Sequence, residues 1–193
     1  MHYSVDVAHD HQPRRVGRAQ IEKGVAHVPP GEGARTLWVF GELLIHKIPS
    51  QKTGGAYSLF EVITHPRSGL PPHVHHREDE SYYVLEGEYE FLVNGQTLKA
   101  RPGSLLYVAK GTLHVHKGVG EGVSRMLMTQ TPGGLYEHFF EEVGKPADGD
   151  RGPLVLEDQP DMANIVTIAA RYGIEIPPPI AEETGLRNAT KTS

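Results

Sequence analysis

Two histidines two residues apart, His73-Val-His75, are followed by a carboxylate at Glu80, and the histidine spacing recurs in His114-Val-His116. On an extended strand, residues i and i+2 point to the same face, so His73 and His75 would present two imidazoles side by side. Imidazole and carboxylate are ligand types for first-row divalent metals, and a fourth ligand is on offer from the later pair. Three histidines and one glutamate would leave one or two coordination positions open for a substrate. A helix is a poor reading of this stretch, because Pro71 and Pro72 precede it and tyrosines, valine and leucine follow. His73 and Glu80 are seven residues apart. An odd separation cannot share one strand face, so His76-Arg-Glu-Asp must be a turn or bulge that re-aims Glu80. His114 and His116 share a face by parity, and spacing alone admits either.

The elements that must position these side chains read as strands. Arg35–Ile48 holds two short apolar runs meeting near Gly41, and 52–57 is a turn before a strand over 57–64. Ser81–Leu85 and Tyr89–Val93 flank a turn at Glu86-Gly87-Glu88. Asn94-Gly95 then gives a strong hairpin signal before Gln96–Ala100 returns. Further apolar runs at 105–108, 113–117 and 124–130 are separated by glycine-bearing turns. Short strands at this frequency predict an all-β barrel or sandwich. After Pro132 the period changes: Leu135, His138, Phe139 and Glu142 fall at helical spacing, closed by Gly144, and a second helix over 160–172 is closed by Gly173. The chain divides into an N-terminal extension (1–33), a barrel (34–131) and a C-terminal helical extension with tail (132–193). His2, His9 and His11 fall in a polar, solvated N-terminal tail, 145–159 is a linker, and the segment after Pro177 is frayed.

Composition narrows the function classes. The net charge is −5 with no basic block, which argues against nucleic acid and anionic membranes. There is no cysteine, which excludes disulfides, thiolate metal sites and a cysteine nucleophile. No apolar h-region opens the chain and no segment approaches a membrane span, so a cytoplasmic location is expected.

The spacing His73-x-His75-x(4)-Glu80-x(6)-Gly87 resembles the first motif of the cupin superfamily, and Gly103-x(5)-Ala109-x-Gly111-x(2)-His114 resembles the second. The chain departs from the pattern at three places. Gly69 stands two residues later than the leading glycine, Ala109 replaces a usual proline, and Gly118 a usual asparagine. The segment Thr131-Pro-Gly-Gly-Leu-Tyr-Glu-His-Phe-Phe-Glu-Glu-Val-Gly144 is similar to the tail of single-domain cupins related to quercetin 2,3-dioxygenase. The resemblance implies a double-stranded β-helix (jelly-roll) barrel, often dimeric, holding one divalent transition metal: Fe, Ni, Mn, Cu or Zn. It implies His73, His75, Glu80 and His114 as ligands and thereby selects His114 over His116.

The activity that the resemblance implies is that of a metal-dependent dioxygenase acting on an aromatic or enolisable small molecule, with Glu80 as ligand and catalytic base. Two other classes stand beside it. One is a non-catalytic small-ligand or metal-binding cupin. The other is a metal-dependent isomerase or lyase of a sugar or keto acid, which would need cations such as Lys47, Lys99 or Lys117 turned inward. Around the site, His76 and His116 are expected to support it or lie exposed, and Arg77-Glu78-Asp79 to form a solvated turn. Tyr82, although it shares the face of Glu80, is expected to serve packing. Tyr89, Phe91 and Val93 form a core face, Phe139 and Phe140 pack a helix on the barrel mouth, and Trp38 with Phe40 could serve an oligomer interface.

Overall fold

The computed structural model describes residues 20–22, 24–66, 68–147 and 161–178. His2, His9 and His11, most of the 145–159 linker and the tail beyond Pro178 lie outside the described residues.

Among the described residues, twelve strands precede the first α-helix: β1 (Gln20–Glu22), β2 (Val25–His27), β3 (Arg35–Val39), β4 (Glu42–Ile48), β5 (Ser58–Thr64), β6 (Val74–His75), β7 (Asp79–Glu86), β8 (Glu88–Val93), β9 (Gln96–Ala100), β10 (Leu105–Val108), β11 (His114–Val119) and β12 (Ser124–Thr131). Helix α1 (Leu135–Val143), β13 (Lys145–Pro146), helix α2 (Met162–Arg171) and β14 (Ile174–Glu175) follow. A seven-stranded antiparallel sheet runs in the order β10-β7-β12-β5-β4-β3-β13. It packs on a three-stranded sheet, β11-β8-β9, and their inner faces share one core. The all-β expectation holds, and the expected turns fall where backbone chemistry requires them. Asn94 and Gly95 both take positive φ between β8 and β9, as a tight two-residue hairpin demands. Gly87 (φ +71°) has no room for a side chain, since a Cβ there would lie 2.8 Å from Ser124 Cα.

Alternation builds the core. Leu44, Phe60, Val62, Tyr82, Val84, Met126 and Met128 point inward from the large sheet to meet Tyr89 and Phe91 from the small one. Each buried aromatic or aliphatic side chain contributes roughly 1.5–3 kcal/mol by leaving water. The polar faces go elsewhere: Lys47 pairs with Glu61 at 2.8 Å, and Lys99 and Lys117 project to solvent beside Glu90. Trp38 is not free for an oligomer interface. It is 5% exposed and lies against the His65 ring, while Phe40 sits in the β3–β4 turn.

The C-terminal elements close one end of the barrel. In α1 the buried apolar residues are Tyr136, Phe139 and Phe140, so of the expected set at helical spacing only Phe139 is buried. Helix α2 is capped by the Asp161 side chain, which accepts from Asn164 N at 3.1 Å, and ends before Gly173 (φ +76°). It buries Ile165, Ile168 and Ala169 in the common core. β14, absent from the sequence expectation, then pairs antiparallel with β6, placing Ile174 opposite His75. Among the described residues no helix is long and apolar enough to cross a membrane.

Candidate metal centre

Backbone pairing brings the histidine strands together. His73 and His114 form an isolated antiparallel bridge, each donating its N–H to the other's carbonyl at 3.0 Å. His75 is held from two sides, by Ile174 across β14 and by Gly111 N–H donating to its carbonyl at 2.7 Å. The chain then bends at His76-Arg77-Glu78 and re-enters a strand at Asp79, which turns Glu80 inward. This is the break that the odd spacing demanded.

One potential ligand atom each from His73, His75, Glu80 and His114 lies within 4.8 Å of all the others. All four residues are at most 2% exposed. Glu80 Oε2 is 2.7 Å from His114 Nε2 and 3.3 Å from His75 Nε2. The rings are oriented from behind: His73 Nδ1 meets the Pro71 carbonyl, and His114 Nδ1 the Thr112 carbonyl, each at 3.0 Å. Such a bond fixes the proton on Nδ1 and leaves Nε2 to carry a lone pair. His73 Nε2 and both ring nitrogens of His75 are buried without a hydrogen-bond partner. Orphaned polar atoms are costly in an apolar interior, and a cation at their point of convergence would satisfy them. The donor set therefore fits a divalent metal.

Electrostatics favours the donor state at His73 and Glu80 and opposes it at His114. Burial, reinforced by the neighbouring imidazoles of His75 and His114, pushes His73 down to about 3, so its ring is neutral at ordinary pH. Burial alone would raise Glu80, but His75 and His114 outweigh it and hold the carboxyl well below the usual range. Burial would lower His114, yet its bond to Glu80 prevails and raises it. Metal binding at His114 would therefore compete with a proton.

The surroundings correct two expectations. Glu78 is not solvated: it is 1% exposed and accepts from the N–H groups of Leu135 (3.1 Å) and Tyr136 (3.2 Å) at the start of α1. No local signal marks it out, because its neighbours are polar and its partners lie 57 and 58 residues away. Tyr82 does more than pack. Its hydroxyl lies 3.1 Å from His114 Nε2, and its parity with Glu80 was the signal for it. Tyr136 covers the cluster, with its ring 4.3 Å from that of His75. His116 is buried but apart, with Nε2 on Glu42 Oε1 at 3.0 Å. His76 is exposed and pairs with Glu175.

An antiparallel barrel with a buried three-histidine, one-glutamate cluster between its sheets defines a class of protein in which a metal would sit inside a β-barrel. Residues 60–130 match the family model of the cupin domain. The chain is 30% identical over 120 residues to quercetin 2,3-dioxygenase of Bacillus subtilis (strain 168), across 62% of this chain and 34% of that protein. It thus spans about a third of the length of this curated relative. Among solved structures it is similar to ectoine synthase from P. lautus (17% identity, TM-score 0.48, covering 66% of this chain and 88% of that one). It is also similar to KdgF from Halomonas sp. (19% identity, TM-score 0.45, covering 50% and 86%). Residues 60–130 thus form a cupin domain, and both matches support a cupin superfamily protein.

Proposed function

We propose that this protein is a metal-dependent dioxygenase acting on an aromatic or enolisable small molecule, with His73, His75, Glu80 and His114 holding the metal. The observation that carries the metal reading is the convergence of four buried donor atoms, with His73 Nε2 and both ring nitrogens of His75 left unpartnered. When bound, a redox-capable divalent metal supplies Lewis acidity and a site for oxygen chemistry. The oxygenase reading draws its support from the sequence similarity to the Bacillus quercetin 2,3-dioxygenase. Glu80 carries a second role as the base that accepts the hydroxyl proton of the substrate at a carboxylate oxygen, with Gln130 Nε2 3.5 Å from Oε1. Tyr82 and Tyr136 are pushed up by burial and stay protonated.

An apolar substrate has a place to approach. A pocket of about 820 Å³ borders β11 at His114, whose side chain is itself buried, and is lined by Pro71, Leu92, Leu113, Val115 and Val166 among others. That volume suits a drug-sized ligand. Inward cations, which a sugar-phosphate or keto-acid enzyme would need, are not supplied by Lys47, Lys99 or Lys117. A second reading, a metal-binding cupin without catalysis, is favoured by the closure of the cluster beneath Tyr136.

Elemental analysis of the protein as purified, beside a His73→Ala/His114→Ala double variant, tests the site. Near-stoichiometric metal lost in the variant is expected. An oxygen electrode with flavonols then tests the reaction. Uptake that Glu80→Gln abolishes supports the dioxygenase. Stoichiometric metal with no oxygen uptake on any flavonol leaves the non-catalytic reading.

A further inference from the structure

We propose that Glu78 is a positioning residue that ties His75 to the N-terminus of α1, setting the orientation of the ring and the seat of Tyr136 with one carboxylate. This rests on the reading of the four-residue cluster as a metal site. The two oxygens of Glu78 are divided between two tasks. Oε1 accepts from Leu135 N and Tyr136 N, and Oε2 lies 3.7 Å from His75 Nδ1.

The first task follows from a missing cap. Gly134, at the N-cap of α1, brings no side chain to the free N–H groups of the first turn, and Glu78 supplies the acceptor from the distant bend before β7. A buried carboxylate is costly unless compensated, and the two N–H bonds with the positive end of the helix provide that compensation. Tyr136, one of the two residues so held, is the residue whose ring covers His75.

The second task follows from comparing the three histidines. His73 and His114 each have a carbonyl fixing Nδ1, from Pro71 and Thr112. His75 has no such carbonyl, and its Nδ1 is buried without a partner. Glu78 Oε2 faces that nitrogen. The gap of 3.7 Å is longer than a hydrogen bond, and closing it takes a shift of roughly 0.8 Å. Once closed, Nδ1–H donates to Glu78 and the Nε2 lone pair is presented to the cluster, as in the other two rings. A carboxylate behind a ligating histidine fixes its tautomer and strengthens it as a donor.

Glu78→Gln separates the two tasks. Its amide oxygen can still accept from Leu135 and Tyr136, but the NH2 turned toward His75 cannot accept Nδ1–H. The probe is Cu(II), with affinity measured by chelator competition and ligand geometry by electron paramagnetic resonance; melting of the metal-free protein reports the cap. We expect E78Q to melt near wild type, to bind Cu(II) about 10- to 100-fold more weakly and to give an altered spectrum. Glu78→Ala should lose melting temperature as well. Wild-type affinity and spectrum in E78Q overturn the proposal, as does a melting loss equal to that of E78A with the spectrum unchanged. The His73→Ala/His114→Ala variant separates the two readings. If it loses Cu(II) while E78Q does not, only the role of Glu78 falls. If it binds Cu(II) as wild type does, the metal site itself falls.

Discussion

Strand β11 sends two histidines into the same barrel, and they end in different company. His116 Nε2 lies 3.0 Å from Glu42 Oε1, and that same oxygen accepts from Thr64 Oγ1 at 2.6 Å. Tyr89 completes the group by donating to Thr64 at 3.0 Å. Here one carboxylate is engaged by a single imidazole and a hydroxyl. At the other end Glu80 is approached by His114 and His75, with His73 Nε2 left without a partner. Both groups are a glutamate with histidine in an apolar interior. What separates them is convergence: several donors aimed at one point could hold a cation, whereas one donor beside one acceptor forms a hydrogen bond.

The sharpest break of that comparison is to remove the two histidines one at a time. His114→Ala should lose the metal. His116→Ala should keep it in full while costing about 3 kcal/mol of stability, because Glu42 is left buried without its imidazole. Elemental analysis beside urea denaturation reads both quantities. Metal loss in H116A equal to that in H114A would sink the distinction.

Much of the metal end was legible in the sequence, because its information is local. The spacing of His73 and His75 fixes a shared face, and the odd step to Glu80 requires the bend at 76–78. The Asn94-Gly95 turn and the steric demand at Gly87 likewise belong to the chain near them. The other polar group was not legible: Glu42, Thr64, Tyr89 and His116 come from four strands, and nothing in the spacing of any one announces the others. Glu78 failed for the same reason, its partners lying on a helix far along the chain. On α1, Phe139 and Phe140 pack as expected, whereas Tyr136, the third buried apolar residue, lay outside the expected positions, and His138 and Glu142 at helical spacing are exposed. Choosing His114 over His116 needed the motif, since parity treats them alike.

Titration gives a smaller effect that depends on the metal end. In chelated protein, burial and the neighbouring imidazoles place His73 at about 3, below its unfolded value of 6.5. The folded state then binds fewer protons, so this contribution is fully present above 6.5 and is lost as pH falls toward 3. The loss approaches about 1.4 kcal/mol per pH unit. His114 runs the other way: burial lowers it, but Glu80 raises it further, so its contribution is fully present below 6.5 and is lost as pH rises through the folded value. Urea denaturation at pH 7 and pH 5 should therefore show a flatter acid loss in His73→Phe and a steeper one in His114→Phe. Equal slopes in both variants and wild type would mean that the cluster does not hold these charge states.

The smallest expected effect concerns access, because each polar group has a pocket beside it and the two differ in lining. The one bordering β11 at His114 is walled by Leu92, Val115, Met162, Val166 and prolines. The one reaching Tyr89, about 410 Å³, is bordered by Glu88, Lys99, Arg101 and Ser104. A flat apolar substrate should prefer the first, since the second would strand charged groups against it. Val166 is 39% exposed on α2, so a larger side chain there can enter the pocket without repacking the core. Val166→Trp should weaken binding of a fluorescent flavonol by about fivefold, roughly 1 kcal/mol, with metal content unchanged. Lys99→Trp, in the second pocket, should leave binding as it was. If the two substitutions act alike, substrate does not approach past His114 by this route, and the apolar lining of that pocket belongs to the packing of α2 alone.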